Sequence, residues 1–258
     1  MFRTLRAKVA LGATVVVAAA GAMLALTLPT GAGAVAGGEA AADGQFPFAV
    51  KFLMTDIPKA DGTTYDSACS GALIDEQWVI TAGHCFHDVD RVPVSGPVPY
   101  KTTAIIGRTD DENTDEGHEI QVTEVRQSSV NDVSLAKLAE PVTDVKPLKL
   151  RSTAPEVGET LTLAGWGGAS ADTTVPATHL QIGQMTVHSV EDVTATVTGL
   201  WPRADTSACP TDSGAPYFND GELVSLESDG PACPHSQPET TSRVDVIADW
   251  IEEQISQD

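Results

Sequence analysis

Short runs rich in β-branched residues, each broken by turn-forming residues, most constrain how this chain can fold. They cover residues 46–54, 70–74, 78–82, 104–107, 120–126, 160–164, 180–188, 193–197 and 222–226. Thr194-Ala195-Thr196-Val197-Thr198 alternates most plainly, the pattern of a strand with one buried face. Runs of this length and spacing indicate an all-β sandwich or barrel. Only one segment has helical periodicity: Val244, Ile247, Trp250, Ile251 and Ile255 share a face, with Ser242 as the expected N-cap. Trp250 is expected to pack on the domain. A chain of 258 residues suits one large domain or two fused barrels.

Residues 1–34 read as a signal peptide. Arg3, Arg6 and Lys8 make a positive start, residues 9–28 are apolar, and Ala32-Gly33-Ala34 fits the small-x-small cleavage rule. The expectation is a secreted, extracellular chain that begins at Val35. The apolar run is about 20 residues, long enough to span a bilayer. Membrane contact follows only if that segment is retained as an anchor. With 15 Lys and Arg against 36 Asp and Glu, the formal charge is -21. Nucleic acid is excluded as a partner, because phosphate binding needs clustered positive charge. The acidity instead suits the solubility of an exported protein.

Four cysteines in an exported chain suggest two disulfides. Three pairings exist. Joining neighbours, Cys69 with Cys85 and Cys209 with Cys233, closes two short loops. Zinc is poorly served, with no Cys-x-x-Cys and unhelpful histidine spacing. Asp110–Glu119 holds six acids in ten residues. It reads as a solvated loop, and calcium is the cofactor such hard oxygen donors would take. Residues 55–66 and 88–99 read as surface loops.

Three segments carry chemistry. A serine hydroxyl needs a base to take its proton, a carboxylate to orient that base, and donors for the oxyanion that forms. Ser213 stands in Cys209-Pro210-Thr211-Asp212-Ser213-Gly214. His84, in Thr81-Ala82-Gly83-His84-Cys85, follows an apolar strand and would be held rigid by a neighbouring disulfide. Asp132 leads into the alternating run Val133–Leu138, where an unpaired acid would be costly. His87, His118, His179, His188 and His235 sit in polar or unpatterned contexts and are expected to be exposed.

Taken together and in this order, these motifs resemble the chymotrypsin/trypsin-like serine peptidases. Gly165-Trp166-Gly167 and the terminal helix add to a likeness that runs from Val35 to about Ile255. The resemblance implies two six-stranded antiparallel β-barrels packed face to face, about 46–145 and 146–242, and a C-terminal α-helix at 243–256. Together these make one peptidase domain over 35–258. It further implies a His84, Asp132, Ser213 triad and an oxyanion hole from the backbone N–H groups of Thr211 and Ser213. The neighbour pairing of the cysteines agrees with bridges usual in the family. Val35-Ala36-Gly37-Gly38 matches the family's activating N-terminus, whose ammonium pairs with the acid before the nucleophile, here Asp212. Signal cleavage after Ala34 would itself expose that terminus. Protein or peptide substrates and a monomer are expected.

The resemblance places Ser207 at the base of the substrate pocket, Ser228 and Gly230 in its wall, and Glu239 at its back. Asp229 stands where the family has tryptophan, and Glu227 adds a further acid. These features point to a mixed basic and aromatic preference, with a solvent-facing Glu239 as the alternative. Thr211 replaces the family's glycine, at a position whose backbone often suits glycine. That departure carries the rival reading of a catalytically impaired binding protein on the same fold.

Overall fold

The computed structural model describes residues 35–168, 170–173 and 175–257. The signal peptide expected at 1–34 lies outside the described residues. Twelve strands form two closed rings. The first contains β1 (Ala49–Pro58), β2 (Thr64–Asp75), β3 (Trp78–Thr81), β4 (Lys101–Ile106), β5 (His118–Gln127) and β6 (Ser134–Leu138). Around the barrel their order is β1-β2-β3-β6-β5-β4, every pair antiparallel. The second contains β7 (Thr160–Gly165), β8 (Gln181–Val190), β9 (Thr194–Trp201), β10 (Pro216–Asn219), β11 (Glu222–Asp229) and β12 (Glu239–Arg243). Its order, β7-β8-β9-β12-β11-β10, repeats the topology of the first.

Burial explains which runs alternate and which do not. On β5, Ile120 and Val122 point inward and Glu119, Gln121 and Thr123 outward. A register shift between Val122 and Glu124 then brings Val125 inward, as an extra residue in a bulge does. All four residues of β3 are buried. Val79 fills the first barrel. Trp78 and Ile80 face a cluster between the barrels with Leu135, Trp166, Phe218 and Leu226. A strand covered on both faces reads as a continuous apolar run. Leu161, Leu163, Met185, Val187 and Tyr217 fill the second barrel.

Helix α1 (Ala248–Ile255) follows a short 3₁₀ turn at Asp245–Ile247. Val244, Ile247 and Ile251 are buried in the inter-barrel cluster, with Trp250 packed against it. The expected N-cap is corrected: Ser242 lies in β12, paired with Leu226 and Thr194. Ile247 precedes the helix and makes no side-chain cap. Among the described residues, no helix is long and apolar enough to cross a membrane. Cys69–Cys85 and Cys209–Cys233 are both bridged, with sequence separations of 16 and 24. Loop-closure entropy makes each worth about 3 kcal/mol.

The acidic loop closes around an arginine. Arg108 is 5% exposed. Its Nε donates to Glu116 O at 2.9 Å, and its terminal nitrogens donate to Glu119 Oε1 at 2.7 Å and Thr114 O at 3.3 Å. Buried Lys51 holds Asp111 and donates to Ala177 O at 2.8 Å. These acceptors are turned onto two internal cations. Among the described residues, no three His, Cys, Asp or Glu side chains converge on a metal position. Replacing Arg108 by Leu strips two carbonyls and Glu119 of their donor. The expected loss is about 1–3 kcal/mol, read as a lower Tm. An unchanged Tm would show that the loop does not depend on the guanidinium.

Candidate active site

Strand pairing brings the chemistry together. Strand β3 runs antiparallel to β6, with Thr81 opposite Ser134. His84, three residues beyond Thr81, and Asp132, two before Ser134, therefore leave the same end of neighbouring strands. In the second barrel Pro216 pairs with Leu226, so Ser213 and Ser228 lie at one end of β10 and β11.

His84 sits on a single 3₁₀ turn, Gly83–Cys85, tied to β2 by the Cys69–Cys85 bridge. A side chain at Gly83 would put a Cβ 2.9 Å from Asp132 Oδ1 and 2.8 Å from Gln127 Oε1. Glycine thus allows the turn to approach the acid. Asp132 Oδ1 accepts the His84 backbone N–H at 2.8 Å. Its Oδ2 lies 2.8 Å from His84 Nδ1 and accepts the Ser228 hydroxyl at 2.7 Å. Burial alone would raise the Asp132 carboxyl, but hydrogen bonds and charge from His84, with the Ser228 bond, hold it below the usual range. An ionised Asp132 fixes the proton on Nδ1 and leaves Nε2 basic. Asn131 donates to Arg243 O at 2.8 Å, pinning this loop to the second barrel.

The nucleophile loop is pressed onto the first barrel. Ser70 donates its N–H to Ser213 O at 2.9 Å. Gly214 has φ +80, and a Cβ there would lie 2.1 Å from Thr81 Oγ1. Ser213 and His84 line one cavity of about 230 Å³, together with Thr211, Pro210 and the Cys69–Cys85 bridge. Among the described residues, Ser213 Oγ makes no hydrogen bond, to His84 or to any other group.

Thr211 takes φ +78, a left-handed value that a β-branched residue adopts at a cost of about 1–3 kcal/mol. Three hydrogen bonds hold it there. Its hydroxyl donates to Trp166 O at 3.0 Å; Ser70 Oγ donates to Thr211 O and accepts Trp166 N–H, both at 3.0 Å. Neither the Thr211 nor the Ser213 N–H is donated to an acceptor among the described residues. Threonine has therefore taken the conformation expected of glycine without losing the donor.

Asp212 is fully buried. It accepts Gly167 N–H at 2.7 Å and Cys209 N–H at 2.9 Å, and the Val35 backbone N–H reaches it as well. A Cβ on Gly165 or Gly167 would fall 2.0 or 1.9 Å from its oxygens, which accounts for both glycines of Gly-Trp-Gly. Val35 is 0% exposed and lies at φ +53, with Ala36 bridged to Ser207. Burial pushes the Asp212 carboxyl up to about 7, the N–H bonds opposing and Glu239 adding to the rise.

A second cavity, about 340 Å³, lies between Ser213, the Cys209–Cys233 bridge and Ser228–Gly230, with Glu227 in its wall. Ser207 and Glu239 lie behind it, 0% and 1% exposed, so Glu239 does not face solvent. Glu239 Oε1 accepts the Tyr217 hydroxyl at 2.7 Å, and Oε2 accepts Ala208 N–H at 3.0 Å. His235 Nε2 stands 3.4 Å from Oε2, a contact held more by charge than by direction. Glu239 raises the His235 imidazole above its ordinary range. His235 N–H donates to Ser207 Oγ at 3.2 Å. The expectation of exposed histidines is thus corrected for His235 and for His87, which are 8% and 5% exposed. His87 is enclosed by Tyr65, Tyr100 and Arg91.

The family model for trypsin matches residues 35–251. The chain belongs to the trypsin family. Similar members include trypsin-2 of Salmo salar, 26% identical over 71% of this chain and 83% of that protein. Trypsin of Phaedon cochleariae is 27% identical over 72% and 78%. Among solved structures, human heparin binding protein matches with a TM-score of 0.68 at 21% identity, covering 85% of this chain and 96% of that one. Mouse neuropsin matches with a TM-score of 0.67 at 21% identity, over 84% and 98%. The likeness to these two shows the two-barrel fold. Membership brings with it serine-peptidase chemistry in general and protein or peptide substrates.

Two outcomes test the trypsin-family site. Thr211→Val keeps the branch but removes the hydroxyl's bond to Trp166 O, which retains the Ala177 N–H. It should cost about 0.5–1.5 kcal/mol and slow acylation of Ser213, as followed by denaturant melts and probe kinetics. Asp212 gives a pH signature in chains that keep residues before Val35. Its carboxyl is raised on folding, so its contribution is complete below about pH 4 and lost as pH rises through about 7. The loss is on the order of 4 kcal/mol. A chain starting at Val35 supplies an ammonium and should escape it. Melting both forms from pH 4 to 8 checks this, and parallel curves would refute it.

Proposed function

We propose that this protein is a secreted serine endopeptidase that works through a His84, Asp132, Ser213 triad. The observation that carries the reading is the oriented His84–Asp132 pair sharing a cavity with Ser213, whose hydroxyl makes no hydrogen bond among the described residues. His84 Nε2 takes the Ser213 proton as Oγ attacks the substrate carbonyl. The N–H groups of Thr211 and Ser213 receive the oxyanion. His84 then protonates the leaving amine, and water, activated by the same imidazole, releases the acyl group. Asp132 stabilises the imidazolium, and Ser228 holds Asp132.

Val35 is the proposed activating terminus. Its burial against Asp212 supports this, because cleavage there would turn an amide donor into an ammonium beside a buried carboxylate. A monomer without calcium is the state proposed, Arg108 closing the acidic loop. The rival, a silent binding protein, draws on the Thr211 substitution. A polyanion such as heparin, named for one structural neighbour, suits a chain of charge -21 poorly.

One experiment separates these readings. The secreted protein is treated with a fluorophosphonate probe and sequenced from its N-terminus. Labelling that disappears in Ser213→Ala, on a chain starting at Val35, is expected. A chain that stays unlabelled is a binding protein, and a labelled chain starting elsewhere removes the role given to Val35. Labelled protein held in the membrane fraction would mean that the apolar segment is kept as an anchor.

A further inference from the structure

The two cavities that meet at Ser213 differ in their ionisable lining. The 340 Å³ cavity has Asp229 and Glu227, whose Oε2 lies 2.8 Å from Tyr217 Oη. The 230 Å³ cavity has His84, His87 and Arg91, and among the described residues no carboxylate lines it. In a chain with 36 Asp and Glu against 15 Lys and Arg, a cavity free of acids is a departure. The leaving amine must lie against His84, which protonates it. This second cavity therefore receives the leaving side of the substrate.

Arg91 is held there without being neutralised. It stands in a loop whose ends, His87 and Pro93, pair as an isolated bridge. Its φ is +66, and its N–H donates to Asp88 O at 3.1 Å. Asp88 Oδ1 accepts the Asp90 and Val92 N–H groups, both at 2.9 Å, so this carboxylate is turned onto its own loop. His87 Nδ1 lies 2.6 Å from Asp88 O. A carbonyl can only accept, so Nδ1 carries the proton and Nε2 is left as an acceptor. Nε2 takes an Arg91 terminal N–H at 3.2 Å. The guanidinium also lies over the Tyr65 ring, 5.2 Å from its centroid, a cation–π contact.

The remaining guanidinium N–H groups meet no acceptor among the described residues. An arginine fixed by an uncharged base and an aromatic face keeps its charge and its fork of donors, which a carboxylate matches with two bonds. Lys59 brings a second cation to within 5.2 Å of the same ring centroid. Asp61 lies near Lys59, but its Oδ1 accepts the Thr63 N–H and hydroxyl. The formal charge of -21 does not oppose an anion here. Charges farther away than about 8–10 Å are screened at physiological salt, so the local cations set the potential.

We propose that Arg91 is the specificity-determining residue of the leaving side and that it takes a carboxylate of the departing fragment. That carboxylate is a Glu or Asp side chain soon after the cleaved bond, or the C-terminus of a short fragment. The proposal rests on the peptidase reading only for calling the guest a leaving group. A site that holds this fragment within a substrate also holds it as a product, so binding can be read without turnover.

The readout is the Arg91 Nε–Hε signal in nitrogen-15 NMR of the intact protein, assigned by its loss in Arg91→Lys. The probes are Glu-Ala-Ala-amide, Ala-Glu-Ala-amide, Ala-Ala-Glu-amide and their Gln and Lys counterparts. At least one Glu peptide should shift the signal saturably and bind roughly threefold to tenfold more tightly than its Gln counterpart. Ala-Ala-Ala with a free C-terminus reads the other source. Tighter binding than its amide, with no Glu preference, would assign the site to a chain end. In Arg91→Glu the preference should invert, with Lys peptides binding best. No saturable shift, Lys preferred by the wild type, or Glu and the free C-terminus binding no better than Gln and the amide would overturn the proposal. The wild-type comparison stands even where the charge-reversed variant fails to fold. Carboxylate binding on a chain that fluorophosphonate leaves unlabelled would keep the site and remove the peptidase reading. Labelling without the preference would do the reverse.

Discussion

A carboxylate cannot be buried without donors, and Asp212 sets the terms for everything around it. Its oxygens occupy the space that side chains would fill at Gly165 and Gly167. Its hydrogen bonds draw in Gly167 and Cys209. The segment between Cys209 and Gly214 is then too short to relax. It passes through a left-handed residue at 211 and another at 214. Ser213 is presented between them, with two backbone N–H groups that meet no acceptor among the described residues. The reactive geometry is thus a consequence of where one charge is stored.

The two barrels divide the work. Each repeats one strand order, yet no repeat is visible in the residues. The first contributes the base and its carboxylate from the paired ends of β3 and β6. The second contributes the nucleophile, and through Ser228 a hydrogen bond that reaches across to Asp132. Residues buried on the outer faces of β2, β3 and β6, among them Ile80 and Leu135, hold the halves in register. Each such side chain contributes roughly 1.5–3 kcal/mol by burial. Loss of that packing would therefore disturb the triad before it unfolded either barrel.

What could be read from the sequence follows from how local each feature is. The triad candidates, the disulfide pairing and the all-β class rest on short segments; the structure bears out the pairing and the class, and sets His84 and Ser213 along one cavity. The motif around Ser228 suggested a pocket wall, where the serine also supports Asp132. Tyr217 reads as one more apolar strand residue in Ala215-Pro216-Tyr217-Phe218. Its phenol matters only because Glu227 and Glu239 arrive from two other strands. His235 sits in a loop of Pro, Ser and Gln whose composition suggests exposure, and only the fold encloses it. Ser242 satisfies the rule for a helix cap, but strand pairing with Leu226 and Thr194 claims it first. Long-range pairing and buried charge networks leave no periodic trace, so these roles were not legible.

Val35 carries a last consequence. Its φ of +53 lies in a region that a β-branched residue enters only at a cost. That torsion exists only while a residue precedes it. A chain that began at Val35 would have no such torsion left to strain. Hydrolysis would act as a ratchet. The same position is strained before the cut and would be relaxed after it.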